Sequence, residues 1–213
     1  MAREISLFEA IRTQRAIRRF RADPVSDEAI TRVLEAAIRA PSPGNRQSWY
    51  FLVVRDPETK RRIGEYYWQA TLEAQREPGY AQIASSPVYR SADDLARRIG
   101  EVPVMVLACV EVRGGAAGPP GRGPITLGAA IYPAVQNLML AARGLGLGTC
   151  LTTRHRRFER EVKELLGIPD HVETAALIPL GYPAEGEHFG GSRRRPTTEV
   201  AFYERWGRKK ASA

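Results

Sequence analysis

One helix dictates how the rest of this chain can fold. From Leu127 to Ala142, apolar residues recur at helical spacing on one stripe: Leu127, Ile131, Ala134, Val135, Leu138 and Ala142. The opposite face is apolar as well, with Tyr132, Met139 and Leu140. A helix that is apolar nearly all round has no side to give to water. It belongs in the interior, as a central helix or at a seam between two subunits. The segment that ends it, Gly144-Leu145-Gly146-Leu147-Gly148-Thr149, has the glycine density of a dinucleotide-binding turn. That motif needs a strand before the glycines and a helix after them. Here the order is reversed, because a strand-like Cys150-Leu151-Thr152-Thr153 follows. The glycines therefore read as a helix C-cap and then a close approach of backbone to another group.

Other elements are punctuated clearly. Ser6-Leu7-Phe8-Glu9 is a capping box with Ser6 as N-cap, and it starts a first helix. A second helix follows Pro24-Val25-Ser26, with Ile30, Val33, Leu34, Ala37 and Ile38 on its apolar face, and stops before Pro41. Pro41-Ser42-Pro43-Gly44-Asn45 reads as a loop with special backbone angles. Strands are expected at Trp49–Val54, Val102–Val110 and Thr174–Leu180, with a short helix near Phe158–Leu166 ending at Gly167-Ile168-Pro169. Residues 58–100 are polar and helical in flavour, broken at Pro78-Gly79, and read as a lid or excursion. Residues 113–124 are rich in Gly and Pro and read as a flexible loop. Strands and helices mix without a βαβα beat, so the fold class is α+β, a single domain over 1–213.

The chain has 213 residues, enough to bury a real core, with 43% hydrophobic and 26% charged. No apolar run reaches membrane-spanning length, and the N-terminus lacks the regions of a signal peptide. Cys109 and Cys150 make no CxxC and no disulfide framework, so a reducing cytoplasm is expected. The net charge is +8. The basic residues are spread out, with short clusters at Arg15–Arg21, Arg193–Arg195 and Arg208–Lys210, and no nucleic-acid motif accompanies them. His155, His171 and His188 are too far apart for a metal cluster, and there is no HExxH, Walker A or G-x-S-x-G. If the chain is an enzyme, a cofactor carries the hard step. Arg15, Arg18, Arg19 and Arg193–Arg195 can clamp a phosphate, since guanidinium matches its oxygens in bidentate geometry. The Ser42–Asn45 loop and Thr149, Thr152 and Thr153 add further donors. The expected ligand is anionic, rich in heteroatoms and gripped by remote segments.

These segments, in order, resemble a known family. Arg15-Ala16-Ile17-Arg18-Arg19-Phe20 with Asp23-Pro24-Val25 is similar to the first signature of FMN-dependent nitroreductases. Ala40-Pro41-Ser42-Pro43-Gly44-Asn45-Arg46-Gln47-Ser48-Trp49 resembles the second. Ala134-Val135-Gln136-Asn137-Leu138-Met139-Leu140-Ala141-Ala142 with Gly144-Leu145-Gly146 resembles the central helix and its end. Pro179-Leu180-Gly181-Tyr182-Pro183 and Arg193-Arg194-Arg195-Pro196 resemble the closing signatures. The resemblance implies a three-layer α-β-α fold with a mainly antiparallel central sheet and an intertwined homodimer. It further implies FMN bound at the subunit interface and NADH or NADPH as electron donor to a small electron-poor acceptor, by ping-pong hydride transfer.

Carried over by residue, the phosphate meets Arg15, Arg18 and Arg194, with Arg193 nearby and Gln14, Ala16 and Ile17 in the same turn. Ser42 and Asn45 approach the isoalloxazine from the partner subunit, with Pro41 and Gln47 in the same cofactor-binding loop. Leu151, Thr152 and Thr153 approach its pyrimidine edge or N5. Many relatives read Arg-Arg-Ser-x-Arg where this chain has Gln14-Arg15-Ala16-Ile17-Arg18, one arginine and one hydroxyl fewer. The run from Gly146 to Pro183 also resembles iodotyrosine deiodinases. Those enzymes hold their substrate with a Glu, a Tyr and a Lys from a lid. Here Glu65, Tyr66 and Tyr67 fall in the lid region, where the only lysine is Lys60. Dehalogenation, dehydrogenation, flavin destruction or flavin binding without turnover are the alternatives on the same fold.

Overall fold

A computed structural model describes residues 5–112 and 124–210, so most of the expected flexible loop at 113–124 lies outside the described residues. The elements in chain order are α1 Leu7–Thr13, α2 Asp27–Ala37, β1 Trp49–Val54, α3 Pro57–Gln75, α4 Tyr80–Ala84, α5 Pro87–Arg98, β2 Val104–Glu111, α6 Pro124–Gly144, β3 Gly148–Thr149, α7 Glu159–Leu166, β4 Val172–Gly181 and α8 Thr197–Val200. The four strands form one sheet in the order β1-β2-β4-β3, every neighbouring pair antiparallel. No helix among the described residues is long and apolar enough to cross a membrane.

β2 reads as an unbroken apolar run because both faces of the sheet are covered. Val104, Val106 and Ala108 point with Ala176, Ile178 and Leu180 of β4 into a core shared with α2 and α6. The alternate residues Met105, Leu107 and Cys109 point with Leu177 into a second core shared with α3, α5 and α7. That alternation, period two along each strand, divides the molecule into three layers, helix on sheet on helix. The architecture is the α+β three-layer arrangement the residues and the resemblance imply. In α6, Ala130, Ile131, Ala134, Val135, Leu138, Met139 and Ala142 are buried, while Tyr132 is 40% exposed. Gly146, at φ +75°, closes the helix: its N–H donates to the Arg143 carbonyl and the Leu147 N–H to the Ala142 carbonyl. This pairing is a Schellman cap, which needs a residue without Cβ strain at the left-handed position.

Some boundaries move. β2 starts at Val104, two residues later than its apolar run, because the Val102 and Pro103 carbonyls accept instead from the Lys60 ammonium at 2.7 and 3.2 Å. Within the strand-like Cys150–Thr153, only Thr152 pairs, with Leu177; the pairing strand is Gly148–Thr149 just before it. The polar stretch 58–100 is narrower as an excursion than its composition implies. Ile63, Tyr67 and Ala70 of α3 and Leu95 and Ala96 of α5 are buried, so these helices form a layer. The part that stands off the core is 72–94, where no residue is buried.

Two details make testable statements about stability. α3 meets the single turn of 3-10 helix Ile99–Glu101 through a glycine pair. A Cβ on Gly64 would lie 3.0 Å from the Cα and N of Gly100, and one on Gly100 would lie 3.2 Å from the Lys60 carbonyl oxygen. Backbone cannot swing aside as a side-chain end can. Gly64→Ala is therefore expected to lower stability in urea by about 1–2 kcal/mol despite its better helix propensity; an unchanged midpoint would contradict this packing.

His155 is fully buried, and neither ring nitrogen has a hydrogen-bond partner. Burial pulls its pKa from 6.5 down to about 4, with the Glu159 carboxylate pulling weakly the other way. The folded chain then refuses a proton that the unfolded chain takes up. Stability is full above pH 6.5, falls as pH drops below it, and the loss, about 3 kcal/mol, is complete near pH 4. Unfolding measured between pH 6.5 and 5, above the carboxylate range, should show this slope, and His155→Leu should flatten it. An equal slope in the variant would assign the effect elsewhere.

Candidate functional site

The first arginine segment leaves the end of α1 and is sewn to the edge of the sheet. Gln14 caps α1 and its amide donates to the Met139 thioether at 3.8 Å. Ala16 bridges Thr149 in parallel, and the Ile17 N–H donates to the Thr149 carbonyl at 2.9 Å. The Ile17 side chain is fully buried on Gly148, where an added Cβ would sit 2.7 Å from its methyl carbon. The close approach announced by the glycine run is thus to Ile17. Of the three residues 15–17, Ile17 serves the fold: its N–H and side chain are both committed. Arg15 and Arg18 flank it and leave the edge on either side.

Arg15 reaches the loop after β4. Its guanidinium donates to the Gly190 carbonyl at 3.0 Å and lies 3.2 Å from the His188 Nε2. Arg18 turns toward the segment after β3, near enough to the Cys150 thiol for its charge to be felt there. There Thr152 is buried, with its hydroxyl donating to the Leu177 carbonyl at 2.8 Å. Leu151 and Thr153, on either side of it, face outward, Leu151 at 39% exposure. So the structure joins Arg15, Arg18, Leu151 and Thr153 around one edge, with Ala16, Ile17 and Thr152 as the framework.

Burial raises the Cys150 thiol pKa, and the Arg18 charge only partly offsets it. Burial likewise pushes Cys109 up to about 12. Both cysteines therefore stay protonated packing groups. Burial also raises the Tyr67 phenol, while the Thr152 side chain and the charges of Arg154 and Arg18 work against the rise.

The Pro41–Gln47 loop lies elsewhere. It is held by internal bonds: Ser42 Oγ accepts from the Gln47 N–H at 2.8 Å, the Asn45 N–H donates to the Ser42 carbonyl at 2.8 Å, and the Gln47 amide donates to Asn45 Oδ1 at 3.3 Å. Gly44, Asn45 and Gln47 all have positive φ. The loop feeds Trp49, which pairs with Val110 at one end of β2, whereas Thr149 pairs with Leu180, whose partner Val104 is at the other end. Six residues along β2 separate them, about 20 Å at the rise of a strand. Within one chain the loop and the arginine edge are at opposite ends of the sheet.

Arg193 and Arg194 are exposed, and Arg194 donates to the Arg193 carbonyl at 2.9 Å. Among the described residues neither makes a hydrogen bond or ion pair to the edge. His188 escaped sequence reasoning: it lies in a non-periodic loop, where spacing carries no signal. Tyr67, which the sequence puts in the lid region, is instead buried in the second core.

A family model described as the nitroreductase family matches residues 11–182. An NADH dehydrogenase of Thermus thermophilus is 32% identical over 210 residues, covering 89% of this chain and 92% of that protein. Iodotyrosine deiodinase 1 of Rattus norvegicus is 28% identical over 206 residues, covering 93% of this chain and 69% of that protein. A solved structure of oxidised iodotyrosine deiodinase bound to FMN and 3-iodo-L-tyrosine superposes with a TM-score of 0.71 at 22% identity. It covers 90% of this chain and 96% of the other, and it supports the fold alone.

Proposed function

The chain belongs to the nitroreductase family, and on that premise we propose that it is an FMN-dependent oxidoreductase, working as a homodimer, that draws electrons from NADH or NADPH. The acceptor is a small electron-poor molecule such as a nitroarene, a quinone or an activated alkene. The observation that carries this reading is the Ala16–Thr149 bridge, which brings two arginines and the Leu151–Thr153 segment to one edge.

The donor set fits the cofactor. Arg15 pairs with no carboxylate among the described residues and is free to take a phosphate. Arg18, which the resemblance assigns to the phosphate, lies beside Cys150 and the Leu151–Thr153 segment, and in this reading it faces the electron-rich pyrimidine end of the flavin instead. Leu151 offers an exposed apolar wall for a ring, and the outward Thr153 can present its hydroxyl toward N5. When bound, FMN supplies the two-electron hydride exchange, first with the nicotinamide and then with the acceptor in the same place. The chain contributes grip, orientation and fixed charge, and no side chain need act as acid or base in the hydride step.

Two features favour the dimer. The loop carrying Ser42 and Asn45 is about 20 Å along the sheet from the arginine edge, so a ligand touching both draws them from two chains. α1 also presents Leu7, Phe8 and Ile11 to solvent at 64%, 81% and 53% exposure, an apolar face that a partner would cover. Both cysteines are free and buried, in keeping with the cytoplasm as the compartment.

Reduction is favoured over deiodination by Lys60. Its ammonium is turned inward onto the Val102 and Pro103 carbonyls, and Glu65 is engaged by Arg61 and Arg62. The lysine that a deiodinase-like triad would need is thus committed to the fold.

The purified protein is expected to oxidise NADH or NADPH steadily only when a nitrofuran or quinone is added; no turnover with either donor would leave a flavin-binding protein without this activity. Replacing Arg194 with Ala should lower the flavin retained after dialysis. Full retention would remove Arg194 from the phosphate site.

A further inference from the structure

We propose that His188 is a direct ligand of the flavin phosphate, so that this chain selects the mononucleotide over riboflavin with an Arg15–His188 pair. The proposal rests on the FMN reading above and adds a group to that site. It begins with how firmly the loop is held. The Gly190 N–H donates to the Thr13 carbonyl at 2.6 Å. Next to it the Phe189 ring lies under the Arg143 guanidinium at 4.2 Å, and Arg143 in turn donates to the Thr13 hydroxyl at 2.8 Å. Residues 189 and 190 are thereby pinned to the end of α1 and to α6, and His188 stands at the pinned edge with its ring exposed.

The second part is what His188 faces. The Arg15 Nη1 is 3.2 Å from the His188 Nε2. An arginine N–H can only donate, so the ring accepts there and carries its proton on Nδ1. Gly191, at φ +74°, passes close to both: a Cβ there would lie 3.6 Å from the Arg15 Nη1 and 3.9 Å from the His188 Nε2. The nearby carboxylate of Glu187 is taken by Arg19 at 3.0 Å, and among the described residues Arg15 pairs with none. A cation and an imidazole, side by side on rigid backbone with no acid between them, are completed by an oxyanion. Arg15 would turn its donors to the phosphate, and His188 would shift its proton to Nε2 and donate as well.

The pair also accounts for a departure in the first signature. Gln14 and Ala16 stand where many relatives carry an arginine and a serine. Gln14 is spent on Met139, and Ala16 on the bridge to Thr149. His188 supplies from the far loop a donor that the first signature lacks.

The test is equilibrium binding of FMN and of riboflavin, followed by flavin fluorescence, to the wild-type chain, His188→Ala, Arg15→Ala and the double variant. His188→Ala should weaken FMN roughly tenfold, the scale of one hydrogen bond to a charged group, and leave riboflavin within about twofold. In Arg15→Ala the further loss on removing His188 should shrink, because the two groups share one ligand. Equal weakening of both flavins by His188→Ala would make it a loop-shaping residue and overturn the proposal, as would unchanged FMN binding. A wild-type chain that binds neither flavin would instead overturn the FMN reading itself.

Discussion

The backbone bond from the Ile17 N–H to the Thr149 carbonyl, with the Ile17 side chain seated on Gly148, is the constraint on which the candidate site depends. It converts the exit of a short helix into an extra strand-like edge. It also fixes where the neighbouring arginines go: Arg15 reaches the His188–Gly190 loop, and Arg18 lies toward Cys150. Gly148 is part of the same device, because no side chain fits between β3 and Ile17. The glycine run after α6 therefore has two separate duties. Gly146 supplies a left-handed cap, and Gly148 supplies room.

The sheet determines what that edge can reach. β1, β2 and β4 are in antiparallel register, so the ends of β2 mark the ends of the site. One end holds the arginine edge and the other the Ser42–Gln47 loop, whose positive φ values at Asn45 and Gln47 are held by its own side-chain bonds. The separation turns a list of candidate ligands into a statement about assembly. If both groups serve one cofactor, two chains must bring them together. The polar 72–94 segment is set apart from the core, tethered where Arg157 of the 3-10 helix Arg154–Phe158 bonds Glu73 and Glu77.

Much of this was legible in the sequence where local chemistry decides. Ser6 and Ser26 cap their helices as their positions imply, since a cap is a bond within four residues. The apolar run of β2 marked a strand, and the apolar stripe of α6 marked the face that packs on the core; its other face keeps Tyr132 exposed. The expectations that shifted depend on partners far along the chain. Pro103 sits in an apolar run but its carbonyl serves Lys60, so the strand starts later. Residues 58–100 look polar throughout, yet the few apolar positions Ile63, Tyr67, Leu95 and Ala96 suffice to make a layer. In the site, the arginines and threonines were visible as donors. That Ile17 and Thr152 are framework, and that His188 stands beside Arg15, follows only from contacts between residues far apart in the chain, 25 positions for Thr152–Leu177 and 173 for Arg15–His188.

The central claim is that these donors hold FMN. The most direct measurement is the visible absorption spectrum of the purified protein, followed by heat release and chromatography of the chromophore against FMN and FAD standards. The account predicts a yellow protein that releases FMN. A colourless protein that fails to take up added FMN would contradict it, and would mean that Arg15, Arg18 and the Ser42–Asn45 loop serve another anion.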